Sequence, residues 1–181
     1  MVTEFFEAFG DPRSLANAGR ELEDALRPLG FATQRSSQLR ALSEYLVNAG
    51  DTVPSLDWSM LPGIGAYSSG MVAGALGARG AVAVDTNIAR VMQRLYGVQP
   101  SHSEARKSTN IWSLTSRLTA ESRSSIRILW ALLDLAAVVC KTITPRCLVC
   151  PLRSQCTYYL RRGDPPARSA NNSGRRRATS S

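Results

Sequence analysis

Four cysteines crowd into 17 residues, 140-CKTITPRCLVCPLRSQC-156, in the pattern C-x6-C-x2-C-x5-C. Thiolates at such a spacing can converge on a soft metal. Tetrahedral zinc and a [4Fe–4S] cube both take four cysteines, and the spacing alone leaves the two open. A disulfide framework suits a chain kept in a reducing compartment poorly. The second chemical feature is the turn 61-LPGIG-65. Pro62 fixes its own φ, while Gly63 and Gly65 permit backbone conformations closed to other residues. A turn of this kind, opening a helix, directs the N–H groups of Gly63, Ile64 and Gly65 outward, where they can hold a phosphate without reading sequence. The third is Asp85. It precedes the amphipathic run 86-TNIARVMQRLYG-97 and is a favoured helix cap. A carboxylate there can also stabilise positive charge on a sugar whose N-glycosidic bond is breaking, and can orient a water. The start of a helix favours its charged form.

These parts need elements to position them, and nearly every segment reads as helix. The pattern predicts helices over 2–10, from Asp11-Pro12 onward, and over 19–30 and 31–50, the last with Leu39, Leu42 and Leu46 at helical spacing. A short helical turn at 55–60 precedes the hairpin. The helix after it, 66–77, is rich in Gly, Ala and Ser, which allows close helix–helix approach. Helices are also expected over 101–118 and 124–140, the second apolar nearly all round and so buried. The β-like run 81-AVAV-84 is too short to build a sheet. The fold class is therefore all-α.

The formal net charge is +8 over 181 residues, which favours a polyanionic partner. The tail 161-RRGDPPARSANNSGRRRATSS-181 holds six Arg and one Asp, +5 of that total, and reads as disordered. No run of about 18 apolar residues is present, so no membrane span is expected. The start MVTEFFEAFGDP has no signal-peptide pattern, and the expected location is cytoplasmic, with the nucleoid if the source is bacterial. Only two of the 22 basic residues are lysines, Lys107 and Lys141.

Taken together, the LPGIG hairpin, Asp85 beyond the next short helix and C-x6-C-x2-C-x5-C resemble the helix-hairpin-helix DNA glycosylases. The similarity runs from about residue 2 to 160, and is to the iron–sulfur branch that includes endonuclease III and the adenine-DNA glycosylases. It implies a two-lobed all-α fold: a helical lobe with the hairpin over 1–100, then C-terminal helices and a cluster loop over 101–160. It turns Cys140, Cys147, Cys150 and Cys156 towards a [4Fe–4S] cluster rather than zinc. In that role the loop positions Arg146 and Arg153 near a phosphate backbone. The resemblance further implies that helices preceding residue 1 in the family are missing from this chain, leaving apolar surface uncovered and part of the pocket absent.

Position 67 divides the family. Members that also cut the strand carry a lysine two residues after the hairpin's last glycine, and its amine attacks the sugar. Here that residue is Tyr67, and neither lysine is near it in sequence. Tyr at this place resembles the thymine-DNA glycosylases that act on G·T mismatches, as do 30-GFATQRSSQL-39 and 133-LDLAAVVC-140; adenine enzymes usually carry Ser. By the same resemblance Phe31 is the wedge that fills the gap left by a flipped base. Gln34 and Arg35 contact phosphate or the orphan guanine. The expected activity is that of a monofunctional, monomeric glycosylase acting on double-stranded DNA with a mismatched or damaged base. It would remove thymine or uracil opposite guanine, with Asp85 and Tyr67 in the pocket. The alternatives are an adenine-DNA glycosylase opposite 8-oxoguanine and a non-catalytic or truncated DNA-binding module.

Overall fold

A computed structural model describes residues 2–50 and 58–162. Among these residues the chain is helical throughout, with no strand. The helices are α1 (Val2–Ala8), α2 (Pro12–Asn17), α3 (Arg20–Leu26), α4 (Ala32–Ala49), α5 (Ala66–Ala75), α6 (Thr86–Tyr96), α7 (Thr109–Ala120), α8 (Ser125–Val138) and α9 (Thr157–Arg162). The basic tail from residue 163 onward and residues 51–57 of the approach to the hairpin lie outside the described residues.

Local chemistry sets the ends. Asp11 caps α2 through its Oδ1, which accepts from the N–H groups of Arg13 and Ser14 (2.8 and 3.1 Å), and Pro12 fills the first helical position. Gly97 closes α6 with φ +67, the left-handed conformation that glycine adopts without strain. Two apolar cores form. One joins Phe9, Ala18, Leu22 and Leu26, with Leu39 of α4 against them. The larger gathers Ile88, Ala89, Val91 and Met92 of α6 against Ile111 of α7 and Leu129, Leu132 and Ala136 of α8. Their i, i+3, i+4 spacing on α6 is what turns that helix inward.

Two expectations need correcting and a third extends further than expected. The helix expected over 101–118 starts at Thr109. Before it, Ser108 Oγ meets the Ser101 N–H (2.5 Å) and Asn110 Oδ1 (2.6 Å), and Asn110 Nδ2 donates to the Gln99 carbonyl (2.6 Å). Short polar side chains bonding locally hold 101–108 off the helical path. The helix α8 is not buried all round. Leu129, Leu132 and Ala136 face the core, but Trp130 is 52% exposed and Val138 56%. Finally, the small residues of α5 do more than admit another helix. Gly74 does meet Ile126 of α8 at 3.5 Å, measured from where its Cβ would stand. The tightest approach, however, is of the extended segment 81–84 to Gly70, where a Cβ would lie 1.8 Å from the Val82 carbonyl oxygen. That segment buries Ala83 and Val84 and delivers Asp85 to the start of α6.

Candidate active site and cysteine loop

The hairpin folds as its residue types require. Pro62 leads into Gly63 at φ +74, the Ile64 N–H donates to the Leu61 carbonyl (3.1 Å), and Gly65 stands extended as the cap of α5. The turn is pressed onto α4, since a Cβ on Gly63 would sit 2.9 Å from Gln38 Cβ. Arg35 and Gln38 of α4 line one groove with Pro62, Gly63 and Ile64, a space of about 180 Å³. Arg35 is thus brought to the hairpin, whereas Phe31 and Gln34 do not line that groove. Phe31 stands 78% exposed at the start of α4, with φ 52, ψ 37. It is the one non-glycine residue with positive φ among those described, in a region that β-carbon sterics disfavour.

Asp85 is a cap and more. Its Oδ1 accepts from the N–H groups of Asn87 (2.9 Å) and Ile88 (2.7 Å), which fills the two acceptor positions of that oxygen. Its Oδ2 accepts from Asn87 Nδ2 (2.8 Å), leaving one acceptor position open. Tyr67, in the first turn of α5, is close enough to feel it. The Tyr67 hydroxyl is pushed above its ordinary pKa of 10.0, first by burial and then by the negative charge of Asp85. The two residues singled out in the sequence are therefore within electrostatic influence of one another. Neither lysine joins them: Lys107 Nζ is bound to Glu104 (2.6 Å), and Lys141 belongs to the cysteine loop.

From Asp85 a chain of contacts runs down α6. Asn87 Oδ1 accepts from Arg90 (3.2 Å), and Arg90 in turn donates to the Cys140 carbonyl (2.9 Å) and the Ala136 carbonyl (3.3 Å). One turn further, Arg94 donates to the carbonyls of Lys141 (2.7 Å) and Thr142 (2.8 Å). Sequence reading missed Asn87, Arg90 and Arg94. The i, i+4 spacing of the two arginines was visible, but nothing local indicated that they reach a loop 46 to 50 residues away.

The four cysteines are free thiols that line one cavity. Cys147 is held above the usual thiol range by burial first, and then by Cys156, Cys140 and Cys150, so all four are within electrostatic reach of one another. No group of three or more His, Cys, Asp or Glu among the described residues is placed to hold a single metal ion. Arg153 is exposed and donates from Nη1 to the Leu148 carbonyl (2.8 Å). Among the described residues no helix is long and apolar enough to cross a membrane.

A glycine hairpin pressed onto α4 and opening α5, followed by a carboxylate that caps α6, is the arrangement of a helix-hairpin-helix protein. The profile of the HhH-GPD superfamily of base excision DNA repair proteins matches residues 1–116, and the chain belongs to that family. By family it is a base-excision DNA glycosylase. It is 29% identical to a thymine-DNA glycosylase of Aeropyrum pernix over 88% of this chain and 74% of that protein. It is 27% identical to a thymine/uracil-DNA glycosylase of Pyrobaculum aerophilum, over 90% and 73% of the two chains. Its fold matches the structure of a thermostable thymine-DNA glycosylase with a TM-score of 0.74 at 26% identity, covering 88% of this chain and 75% of the other.

Proposed function

We propose that this protein is a monofunctional glycosylase that hydrolyses the N-glycosidic bond of thymine or uracil paired with guanine in double-stranded DNA, working as a monomer. The observation that carries this reading is Tyr67, not lysine, two residues past Gly65 and within the electrostatic influence of Asp85. With no amine there, water must be the nucleophile. The names of the A. pernix and P. aerophilum relatives support the choice of base.

In this reading the C1′–N bond breaks and its electron pair leaves with the base. The cation that builds on the sugar is stabilised by the Asp85 carboxylate, a fixed negative charge needing no reorganisation. A water held at the open position of Asp85 Oδ2 bonds to C1′, and its proton passes through Oδ2 to the departing base. Tyr67 walls the pocket with a hydroxyl that burial and Asp85 keep protonated. The Gly63 and Gly65 N–H groups, with Arg35 beside the hairpin, hold backbone phosphate, while the Ile64 N–H is taken by the Leu61 carbonyl (3.1 Å) and serves the turn itself. Phe31, exposed and conformationally constrained, fills the gap left in the duplex. Gln34, exposed one turn on, faces the same strand or the orphan guanine.

Cys140, Cys147, Cys150 and Cys156 fit a [4Fe–4S] cluster. A tetrahedral zinc at Zn–S of about 2.3 Å would draw its sulfurs to about 3.8 Å from one another. All four thiols line one cavity, which supports a shared four-cysteine site, and the choice of a cluster over zinc follows the similarity to endonuclease III. When bound, such a cluster fixes the loop and offers one-electron redox chemistry; the hydrolysis itself uses neither.

The test is base release from labelled duplexes carrying G·T, G·U or A·8-oxoguanine, with and without hot alkali. Breakage of the T or U strand only after alkali is the expected result. Strand cutting without alkali would overturn the monofunctional mechanism. Release of adenine alone would overturn the specificity.

A further inference from the structure

We propose that Arg94 is the positioning residue that shapes the cysteine loop before metal enters and retains the group once it is bound; this rests on reading the loop as a cluster site. Arg94 touches both ends of the loop. Its guanidinium reaches Cys140 Sγ (3.4 Å) and the carbonyls of Lys141 and Thr142 (2.7 and 2.8 Å), while its own carbonyl accepts from Cys156 Sγ (3.4 Å). It also lies 4.9 Å from the ring centre of Tyr158, the second residue of α9. One side chain on the rigid core helix thus ties the first cysteine, the backbone after it and, through its own main chain, the last cysteine.

The charge matters as much as the tether. The groups Arg94 contacts are carbonyls, sulfurs and a ring, and none is a carboxylate. Arg90, one turn earlier, likewise bonds only to carbonyl oxygens of Cys140, Ala136 and Asn87. So α6 sets one guanidinium, Arg94, in the cavity that the four thiols line, and a second, Arg90, behind it on the Cys140 carbonyl, neither with an acidic contact. Four thiolates around iron and sulfide make an anionic group, and a planar fork that stays charged is the side chain suited to such a place. Lysine would keep the charge but gathers its donors on one nitrogen, without the planar fork that meets the Lys141 and Thr142 carbonyls from two nitrogens.

The test compares the full chain with Arg94→Lys and Arg94→Gln. In iron-free protein, trypsin cleavage after Lys141 and Arg146 reports loop order. In anaerobically reconstituted protein, transfer of iron to a chelator reports retention. Losing the two carbonyl bonds and the charge is expected to speed both about tenfold in Arg94→Gln, with Arg94→Lys between. Rates for Arg94→Gln within about twofold of the parent would overturn the proposal. Should Arg94→Gln fail to fold by circular dichroism, Arg94→Lys decides alone, and parental rates in it overturn the tether. If the parent binds zinc and no iron, the cluster reading fails, and the metal-free cleavage rates still confirm or overturn Arg94.

Discussion

Replacing Asp85 by Asn separates its two roles, because Asn caps a helix as well as Asp does. In the variant, the amide oxygen can go on accepting from the N–H groups of Asn87 and Ile88, now 2.9 and 2.7 Å from Oδ1. The new NH2 then faces Asn87 Nδ2, which stands 2.8 Å from Oδ2. Asn87 cannot turn its own oxygen round to meet it without giving up Arg90. One hydrogen bond is lost, about 1 kcal/mol. For a chain of this length that lowers Tm by roughly 2–4 °C. Activity should fall far more. A transition-state charge left without its counter-charge costs about 100- to 1000-fold in rate. The assay is single-turnover release of thymine from a G·T duplex, read beside a melting curve and the affinity for the same duplex. Asp85→Ala supplies the other limit, since it also strips the cap and should cost about 1–2 kcal/mol. An Asp85→Asn protein that melts as expected, binds DNA and still releases base within about threefold of the parent would reduce Asp85 to a cap and refute the electrostatic argument.

Two further outcomes follow from the same geometry. Tyr67 should ionise above the ordinary 10.0, and in Asp85→Asn its titration, followed by ultraviolet absorbance, should move part of the way back, since burial is the larger cause. The folded state keeps the proton that the unfolded chain loses near pH 10.0, so Tyr67's contribution to stability is intact below that pH and is lost as pH rises through the raised value. A Tyr67 titration unmoved by Asp85→Asn would show that the two groups do not interact. Gly63→Ala forces a β-carbon into φ +74 and to within 2.9 Å of Gln38 Cβ. The left-handed strain alone is about 1–2 kcal/mol, and displacement of the turn should weaken binding to any duplex, matched or mismatched, to a similar degree. A loss confined to mismatched DNA, by fluorescence anisotropy, would contradict a phosphate-holding role.

The parts that were legible in the sequence are those whose physics is local. Gly97 after an amphipathic run could only end a helix, and Asp85 before it could only begin one. Pro62 with Gly63 and Gly65 dictated a tight turn. The all-α fold followed from helical periodicity repeated along the chain. The failures came where partners are distant or the environment decides. The helix expected from residue 101 was lost to a hydroxyl and amide network around Ser108, which competes with the helical ladder. The apolar circumference of α8 suggested burial, yet Trp130 and Val138 are on the surface, because composition counts apolar residues without saying how many neighbours are available to cover them. The small-residue helix did admit another helix, α8, at Gly74, and what its composition could not show is that Gly70 is pressed by a carbonyl of the segment leading to Asp85.

The least legible feature is also the one that organises the site. The helix α6 does three things with one 11-residue segment. Its first turn holds Asp85, its apolar face builds the main core, and its polar edge carries Arg90 and Arg94 to the cysteine loop. At 1.5 Å per residue the helix is about 16 Å long, so the carboxylate and the far end of the loop's anchorage are joined by a single rigid element. Asn87 and Arg90 complete the link at side-chain level, since the amide that donates to Asp85 Oδ2 belongs to the residue whose oxygen Arg90 holds. Arg90 is fixed in turn by the Cys140 carbonyl, next to the first thiol of the loop. Disorder in the loop would therefore remove the shorter of Arg90's two backbone anchors, leaving the Ala136 carbonyl (3.3 Å), and would loosen its hold on Asn87 and so the contact that orients Oδ2, while the backbone bonds to Oδ1 would survive. In the proposed mechanism, a loop joined to α6 through Arg90 can in this way influence the aim of the carboxylate without touching it.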